Sequence, residues 1–237
     1  MSFSSLLHNI ADAEQGPKTC AVFDFDGTII SGYSATAFLK DQIARGEISP
    51  ADLVQLTQAT TRFGIGSLGF SALMAVHAQY LAGRSETDYI ANSERLFRRA
   101  IAKLIYPEAR QLIEAHRAAG HSIAIISSAT PYQVLPAAKD LDIEHVYATD
   151  LEVEDGQFTG GVVQPTCFGI GKVHAAERFL AQQGGDLENC FFYSDSIDDI
   201  ELLETAGRPV VLNGSRELKK TAREAGWPMA DFSSRGN

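Results

Sequence analysis

Apolar residues follow two rhythms along this chain. In the first, short runs are apolar almost throughout: 19–25, 122–126, 190–193 and 209–212. Such runs suit strands covered on both faces. In the second, apolar positions recur at helical spacing over 107–119, 131–141, 171–183, 198–204 and 215–225. Pro107 and Pro131 stand where a first turn accepts proline, and Gly120 and Gly184-Gly185 stand where a helix stops. A short strand is expected at 145–148. A hairpin is expected over 151–163, with Asp155-Gly156 at its tip. Strand and helix alternate in units of roughly 25 to 40 residues, which predicts a three-layer, Rossmann-like parallel sheet with helices on both faces. The tail after Trp227 carries Pro228 and a polar end and is expected to fray.

The stretch 34–102 has a different texture. Phe38, Ile43, Leu53, Leu56, Leu68, Leu73, Val76, Tyr80, Leu81, Tyr89, Ile90, Phe97 and Ile101 recur at helical spacing. The pattern predicts about four helices and no strand. Ser49-Pro50 marks a helix start, Gly64-Ile65-Gly66 a break, and Gly83-Arg84-Ser85 a stop followed by a cap at Ser85, with Asp88 three residues on. The chain is therefore expected to divide into an α/β core, 17–33 and 103–237, and a small all-helical insert, 34–102. Residues 1–16 form a short leader helix on Phe3, Leu6, Leu7 and Ile10; Asp12 and Glu14 interrupt it, and it lacks the basic start of a signal peptide.

Composition narrows the function. The 237 residues carry 20 Lys and Arg against 30 Asp and Glu, a formal charge of −10. That balance argues against a nucleic-acid binder and leaves room for a small anionic substrate met by a local positive site. No apolar stretch reaches the ~18 residues of a membrane span. Cys20, Cys167 and Cys190 form no even framework and no CxxC, so reduced thiols and a cytoplasmic location are expected.

In an open parallel sheet, ligands bind beyond the carboxyl ends of strands. Three such ends carry polar side chains: Asp24 and Asp26; Ser127 and Ser128; Asp195, Asp198 and Asp199. Lys172 opens the helix between the last two. Carboxylates gathered at one edge repel one another unless neutralised, and Mg²⁺ would do this with phosphate as a further ligand. Lys172 adds a fixed positive charge, and Ser127 or Ser128 can donate to a phosphate. If strand geometry persists, Asp24 and Asp26 point the same way. One can then attack phosphorus while the other protonates the leaving oxygen and later deprotonates water. The residues alone leave two readings open: a phosphoryl-transfer site, or a set of turn aspartates and helix caps.

Asp24-Phe25-Asp26-Gly27-Thr28 resembles the first motif of the haloacid dehalogenase-like hydrolases, largely Mg²⁺-dependent aspartyl phosphatases. Ser127 resembles the second motif, Lys172 after Gly171 the third, and Asp195-Ser196-Ile197-Asp198-Asp199 the fourth. All four fall in the expected order over 19–212. The resemblance implies that Asp24 is the nucleophile and Asp26 the general acid and base, with Lys172 clamping the phosphate against Asp24. It implies a metal set of Asp24, Asp26 (through its carbonyl), Asp195 and Asp199, and a phosphate set of Ser127, Ser128, Gly27 and Lys172. Asp198 has no assigned role.

The insert after the first motif resembles the helical cap of the phosphoserine phosphatase subgroup. Candidate specificity contacts in such a cap are Tyr33, Phe38, Arg62, Phe63 and Met74. The aromatic ones serve equally well as cap core, and Arg62 as an ordinary surface residue. One departure matters. Phosphoserine phosphatases place a glutamate shortly after the first motif, whereas residues 29–38 here contain no acid. A phosphomonoesterase with a small organic phosphate substrate is expected, and Tyr33 and Phe38 point toward an apolar or neutral leaving group. Phosphoserine phosphatase proper, a phosphotransferase and a non-catalytic phosphate and Mg²⁺ binder are the alternatives. The oligomeric state stays open.

Overall fold

The computed structural model describes residues 2–47 and 67–233. Its core is a six-stranded sheet in the order β3-β2-β1-β6-β7-β8, parallel throughout. The strands are β1 (Cys20–Phe23), β2 (Ser122–Ile126), β3 (His145–Tyr147), β6 (Cys190–Ser194), β7 (Arg208–Leu212) and β8 (Met229–Ala230). Successive residues of β1 serve opposite faces, and all four are buried. Ala21 and Phe23 pack with Leu6 and Ile10 of α1 (Phe3–Ala11), Leu112 and Ile113 of α5 (Pro107–Ala118) and Val134 of α6 (Pro131–Asp140). Cys20 and Val22 pack with Phe179 of α7 (Ile170–Gln183), Leu202 of α8 (Ile200–Thr205) and Leu218 of α9 (Arg216–Ala225). Two-sided burial explains why these strands read as continuous apolar runs.

Residues 228–233 of the tail are held in place rather than frayed. Gly226 ends α9 in the left-handed region (φ 72°), and Trp227 N–H closes onto the Ala222 carbonyl at 2.8 Å. The chain then pairs Met229 with Val211 and Ala230 with Leu212. Beyond it, buried Phe232 meets Phe3 and Tyr106 edge-on.

Two linkers join core and insert, and they run side by side. Ile30 bridges Ile105 in antiparallel fashion, Ser31 N–H donates to the Leu104 carbonyl (2.8 Å), and Tyr106 N–H donates to the Ile29 carbonyl (3.0 Å). Beyond them lie α2 (Ser34–Ala44), α3 (Ser67–Leu81) and α4 (Glu86–Leu96), then a π turn (Phe97–Ile101) and a 3-10 turn (Ala102–Leu104). Ser85 caps α4 as expected, its Oγ accepting from Asp88 N–H at 3.2 Å. The expected start at Ser49-Pro50 and break at Gly64-Ile65-Gly66 lie outside the described residues.

The hairpin is β4 (Leu151–Glu154) and β5 (Gln157–Val162), turning on Asp155 and Gly156 with φ of 50° and 73°. It is docked on the insert. Gly83 N–H donates to the Phe158 carbonyl (2.8 Å), and Glu86 N–H to that of Gly156 (2.9 Å). The buried Phe158 ring meets Tyr89 of α4 and Tyr132 of α6 edge-on, with centroids 5.4 and 5.3 Å away. Hairpin, insert and core thus share one aromatic cluster.

A buried hydrogen-bond chain ties α5 to β6. His121 Nε2 lies 3.1 Å from the Glu14 carbonyl, His121 Nδ1 lies 2.8 Å from His116 Nδ1, and His116 Nε2 lies 2.8 Å from the Tyr193 hydroxyl. A carbonyl only accepts, so His121 donates from Nε2 and accepts at Nδ1. His116 therefore donates from Nδ1 and accepts the Tyr193 proton. The chain is complete only when His116 is neutral, since a doubly protonated His116 would turn an N–H onto the Nδ1 of His121 and onto the Tyr193 hydroxyl at once. Burial, and then the neighbouring His121, push the His116 pKa well below its usual value. A depressed histidine pKa gives stability that is full above ~6.5 and is lost as pH falls toward the folded-state pKa. Asp24, Asp26 and Asp195 are shifted upward and act in the opposite sense. The readout is therefore a difference. The stability advantage of wild type over His116→Gln in urea unfolding shrinks by about 1.4 kcal/mol between pH ~7.5 and ~5.5. An unchanged advantage would show that His116 is not held neutral.

Candidate active site

Adjacency of β2, β1 and β6 brings the three polar strand ends together. Lys172, in the first turn of α7 and only 2% exposed, reaches across them. Its Nζ donates to Asp24 Oδ1 (2.7 Å) and to both oxygens of Asp199 (2.7 and 2.8 Å). Ser194 Oγ donates to Asp199 Oδ2 at 2.6 Å. Burial alone would lower the Lys172 pKa, but the Asp199 and Asp24 carboxylates more than offset it and hold the ammonium above its usual range.

Asp195 lies against the first-motif turn. Gly27 has φ 77°, and a Cβ there would sit 2.1 Å from Asp195 Oδ2, so no side chain fits. Thr28 Oγ1 approaches Asp195 Oδ1 at 3.4 Å, and Asn213 Nδ2 holds the Gly27 carbonyl at 2.9 Å. Burial and then Asp199 push the Asp195 carboxyl up to about 7. Asp24 is raised well above the usual range by burial, against the pull of Lys172 and with Asp199 and Asp195 adding to the rise. Among the described residues, Asp24 and Asp199 hold one ammonium between them, with Asp195 and the half-buried Asp26 in its field, a site short of positive charge.

Asp24 and Asp26 take different partners. The strand ends at Phe23, and the chain turns through Gly27 with Ile29 and Ile30 N–H both closing onto the Phe25 carbonyl. Asp24 faces Lys172. Asp26 faces the insert, its Oδ1 accepting from Ser34 N–H (2.7 Å) and its Oδ2 from Ser34 Oγ (3.0 Å). Burial raises its pKa to about 6, the two Ser34 bonds limiting the rise.

The remaining candidates divide. Ser127 is buried at the end of β2, its Oγ accepting from Ala129 N–H at 3.2 Å, with half-buried Ser128 beside it. Asp198 lies in a 3-10 turn (Ile197–Asp199) whose cap, Ser196 Oγ, accepts from Asp198 N–H at 3.2 Å, which is the turn reading for that residue. Tyr33 is 66% exposed, and its hydroxyl lies in the field of Asp195, Asp26, Asp24 and Asp198. Phe38 and Met74 do not line the site. Both are buried in the hydrophobic core, Phe38 beside Tyr89 at 6.1 Å, because the apolar stripe of a helix seeks its neighbours. Arg62 and Phe63 lie outside the described residues. Sequence reasoning missed Ser34, Gln133, Asn213 and a stacked pair that joins α3 to the loop before Lys172, Phe70 on Phe168 at 4.4 Å. No local pattern marks any of these.

Comparison with known proteins agrees with this geometry. The model of the family described as haloacid dehalogenase-like hydrolase matches residues 21–204. A probable phosphatase of Mycobacterium tuberculosis is 33% identical over 219 residues, covering 91% of this chain and 76% of the relative. A histidinol-phosphatase of Neisseria meningitidis is 30% identical over 220 residues, covering 91% and 99%. Among solved structures, a Bordetella pertussis protein of unknown function superposes with a TM-score of 0.81 at 28% identity, covering 91% and 99% of the two chains. A phosphoserine phosphatase held as a phospho-aspartyl intermediate analogue shares the fold, with a TM-score of 0.64 at 20% identity over 91% and 93%. Among the described residues no helix is long and apolar enough to cross a membrane. The chain belongs to the haloacid dehalogenase-like hydrolases.

Proposed function

We propose that Asp24 is the nucleophile, Asp26 the general acid and base, and Mg²⁺ the metal, in hydrolysis of a small phosphomonoester whose leaving group is neutral or apolar where it meets the protein. The observation that carries the assignment of roles is the Lys172 bridge. It engages Asp24 through Oδ1, leaving Oδ2 for attack on phosphorus. A new Asp24–phosphorus bond forms as the ester P–O bond breaks, and Asp26 gives its proton to the departing oxygen. Water then attacks phosphorus, loses a proton to Asp26, and the Asp24–phosphorus bond breaks to release phosphate.

The carboxylate surplus fits a hard cation held by Asp24, Asp195, Asp199 and the Asp26 carbonyl. A ready-made cage of three side chains is not found among the described residues. Mg²⁺ does not require one, since it keeps several waters and takes substrate phosphate as a ligand. When bound it would neutralise charge on the transferring oxygens. Ser127 and Ser128 would donate to phosphate oxygens, whereas the Gly27 N–H is already given to the Gly32 carbonyl at 3.0 Å, and Lys172 would supply the fixed charge that lets an anionic carboxylate approach an anionic ester.

Support for the leaving group comes from the mouth of the site. Tyr33 stands exposed above the carboxylates, Ile170 at the start of α7 is 57% exposed, and the Phe70–Phe168 pair spans insert and core. Asp41 is the one carboxylate of α2, and it is buried against Arg45 (2.9 Å) and Arg99; α3 carries none. Neither helix offers an ammonium a free counter-charge. A second reading, an amino-alkyl phosphate, is favoured by the relative named as a histidinol-phosphatase.

Phosphate release with and without Mg²⁺ from glycerol phosphate, a lysophosphatidate, sugar phosphates, nucleotides, phosphoserine and histidinol phosphate separates the two. The neutral and apolar esters are expected to have the highest kcat/KM, and Tyr33→Ala to reduce it by roughly tenfold for them. A clear preference for phosphoserine or histidinol phosphate would replace this leaving group with the amino-alkyl one.

A further inference from the structure

The acid–base carboxylate is held by residues from two other parts of the fold. Gln133, in the first turn of α6, has an amide whose orientation is fixed. Its Oε1 accepts from both Thr130 N–H and Thr130 Oγ1–H, each at 2.9 Å. A backbone N–H can only donate, so the oxygen must face Thr130 and the Nε2 end must face Ser34, 3.0 Å away. Ser34 Oγ receives that proton, and its own hydroxyl proton is turned onto Asp26 Oδ2 (3.0 Å), while Ser34 N–H holds Oδ1 (2.7 Å). Ser34, Thr130 and Gln133 are all buried. Donation therefore runs one way, from α6 through the first residue of α2 to Asp26.

Asp26 also takes a helix-cap role. The residue before α2 is Tyr33, whose side chain makes no capping bond. Asp26, eight residues back, accepts the first N–H of α2 in its place. Ser34 directly follows the Gly32-Tyr33 linker, with Gly32 in the left-handed region at φ 81°. Any rotation of the insert about that linker carries both donors to Asp26 with it.

We propose that Ser34 and Gln133 are positioning residues for Asp26: they hold its carboxylate against the insert's first helix and so tie placement of the acid–base group to the seating of the insert. This rests on the reading of Asp26 as general acid and base. The effect belongs to steps in which Asp26 moves a proton. An alkyl ester needs protonation of its leaving oxygen, whereas 4-nitrophenyl phosphate releases a stable phenolate without it.

The test uses the full chain with Mg²⁺. Gln133→Glu is nearly isosteric and reverses the chain, because a carboxylate oxygen facing Ser34 accepts its hydroxyl proton and draws it off Asp26. Ser34→Ala removes that proton, and Ser34→Thr restores a hydroxyl. Gln133→Glu and Ser34→Ala are expected to slow turnover of an alkyl phosphate by roughly ten- to hundredfold. The pre-steady-state burst of 4-nitrophenol should change by less than about threefold, and Ser34→Thr should recover most of the alkyl rate. Equal losses on both esters, or no loss on either, would overturn the proposal. Asp26→Asn is the reference. If it slows both esters alike, the acid–base reading of Asp26 fails and this proposal falls with it. If Asp26→Asn discriminates between the esters and the Ser34 and Gln133 variants do not, only the positioning role fails.

Discussion

Asp24→Asn will lower phosphate release by about 10⁴-fold or more without unfolding the protein. The amide is nearly isosteric with the carboxylate and can still meet Lys172, but it is not a nucleophile toward phosphorus. The accompanying sign is less intuitive. Asp24 is raised well above the usual carboxylate range, by burial first and by Asp199 and Asp195 in addition. In metal-free protein its charge is therefore a burden on the fold. Replacing it should leave the thermal midpoint unchanged or raise it, while Mg²⁺ should stabilise the variant less than it stabilises wild type. Steady-state kinetics beside melting curves with and without Mg²⁺ check both parts. Turnover within tenfold of wild type would remove Asp24 from the chemistry.

Lys172→Met should damage the protein in both respects. The ammonium is buried and makes three short contacts with Asp24 and Asp199. Taking it away leaves two buried carboxylates facing each other with no cation between them. Removal of one partner from a buried ion pair costs about 3–5 kcal/mol. Mg²⁺ should restore part of the lost midpoint, since it addresses the same excess of charge. Turnover should fall by about 10³-fold even where the fold is rescued, because nothing then screens the attacking carboxylate from the phosphate. Lys172→Arg should not substitute. A planar fork cannot place one charge against two carboxylates in a space fitted to a compact ammonium. Denaturant unfolding with graded Mg²⁺ is the measurement. A Lys172→Met protein as stable as wild type without metal would mean that the bridge contributes nothing to the fold.

Much of the site was legible in the sequence because its chemistry sits at strand ends. A continuous apolar run followed by Asp24, Ser127 or Asp195 marks both the strand and the edge on which its last side chain emerges. Lys172 was legible as a first-turn residue of a strongly periodic helix. Other features depend on residues far apart in the chain. Ser34 and Gln133 are 99 positions apart and meet only because α2 and α6 flank the same turn. Phe38 and Met74 show why periodicity is silent on function: it identifies the buried face of a helix but not what the face is buried against. The two-residue β8 was hidden behind Pro228, since its pairing is secured by Gly226 before it and Phe232 after it rather than by its own composition. The partners of Asp26 were not legible because a two-residue spacing implies a common face only while the strand continues, and here it stops at Phe23.

The aromatic cluster of Tyr89, Tyr132 and Phe158 bears on how such enzymes can be recombined. The hairpin lies in sequence within the core, starting at Leu151, well after the insert ends at 102, yet its Phe158 is packed between a helix of each. A chimera that exchanged only 34–102 with a relative would set a foreign helix against Phe158 and Tyr132 and take the Gly83 and Glu86 N–H donors away from the Phe158 and Gly156 carbonyls. The transplantable unit is discontinuous: the insert together with β4 and β5, and a matched residue at position 132. Substrate preference can pass between members of this family as a module only where that composite seam is carried across intact.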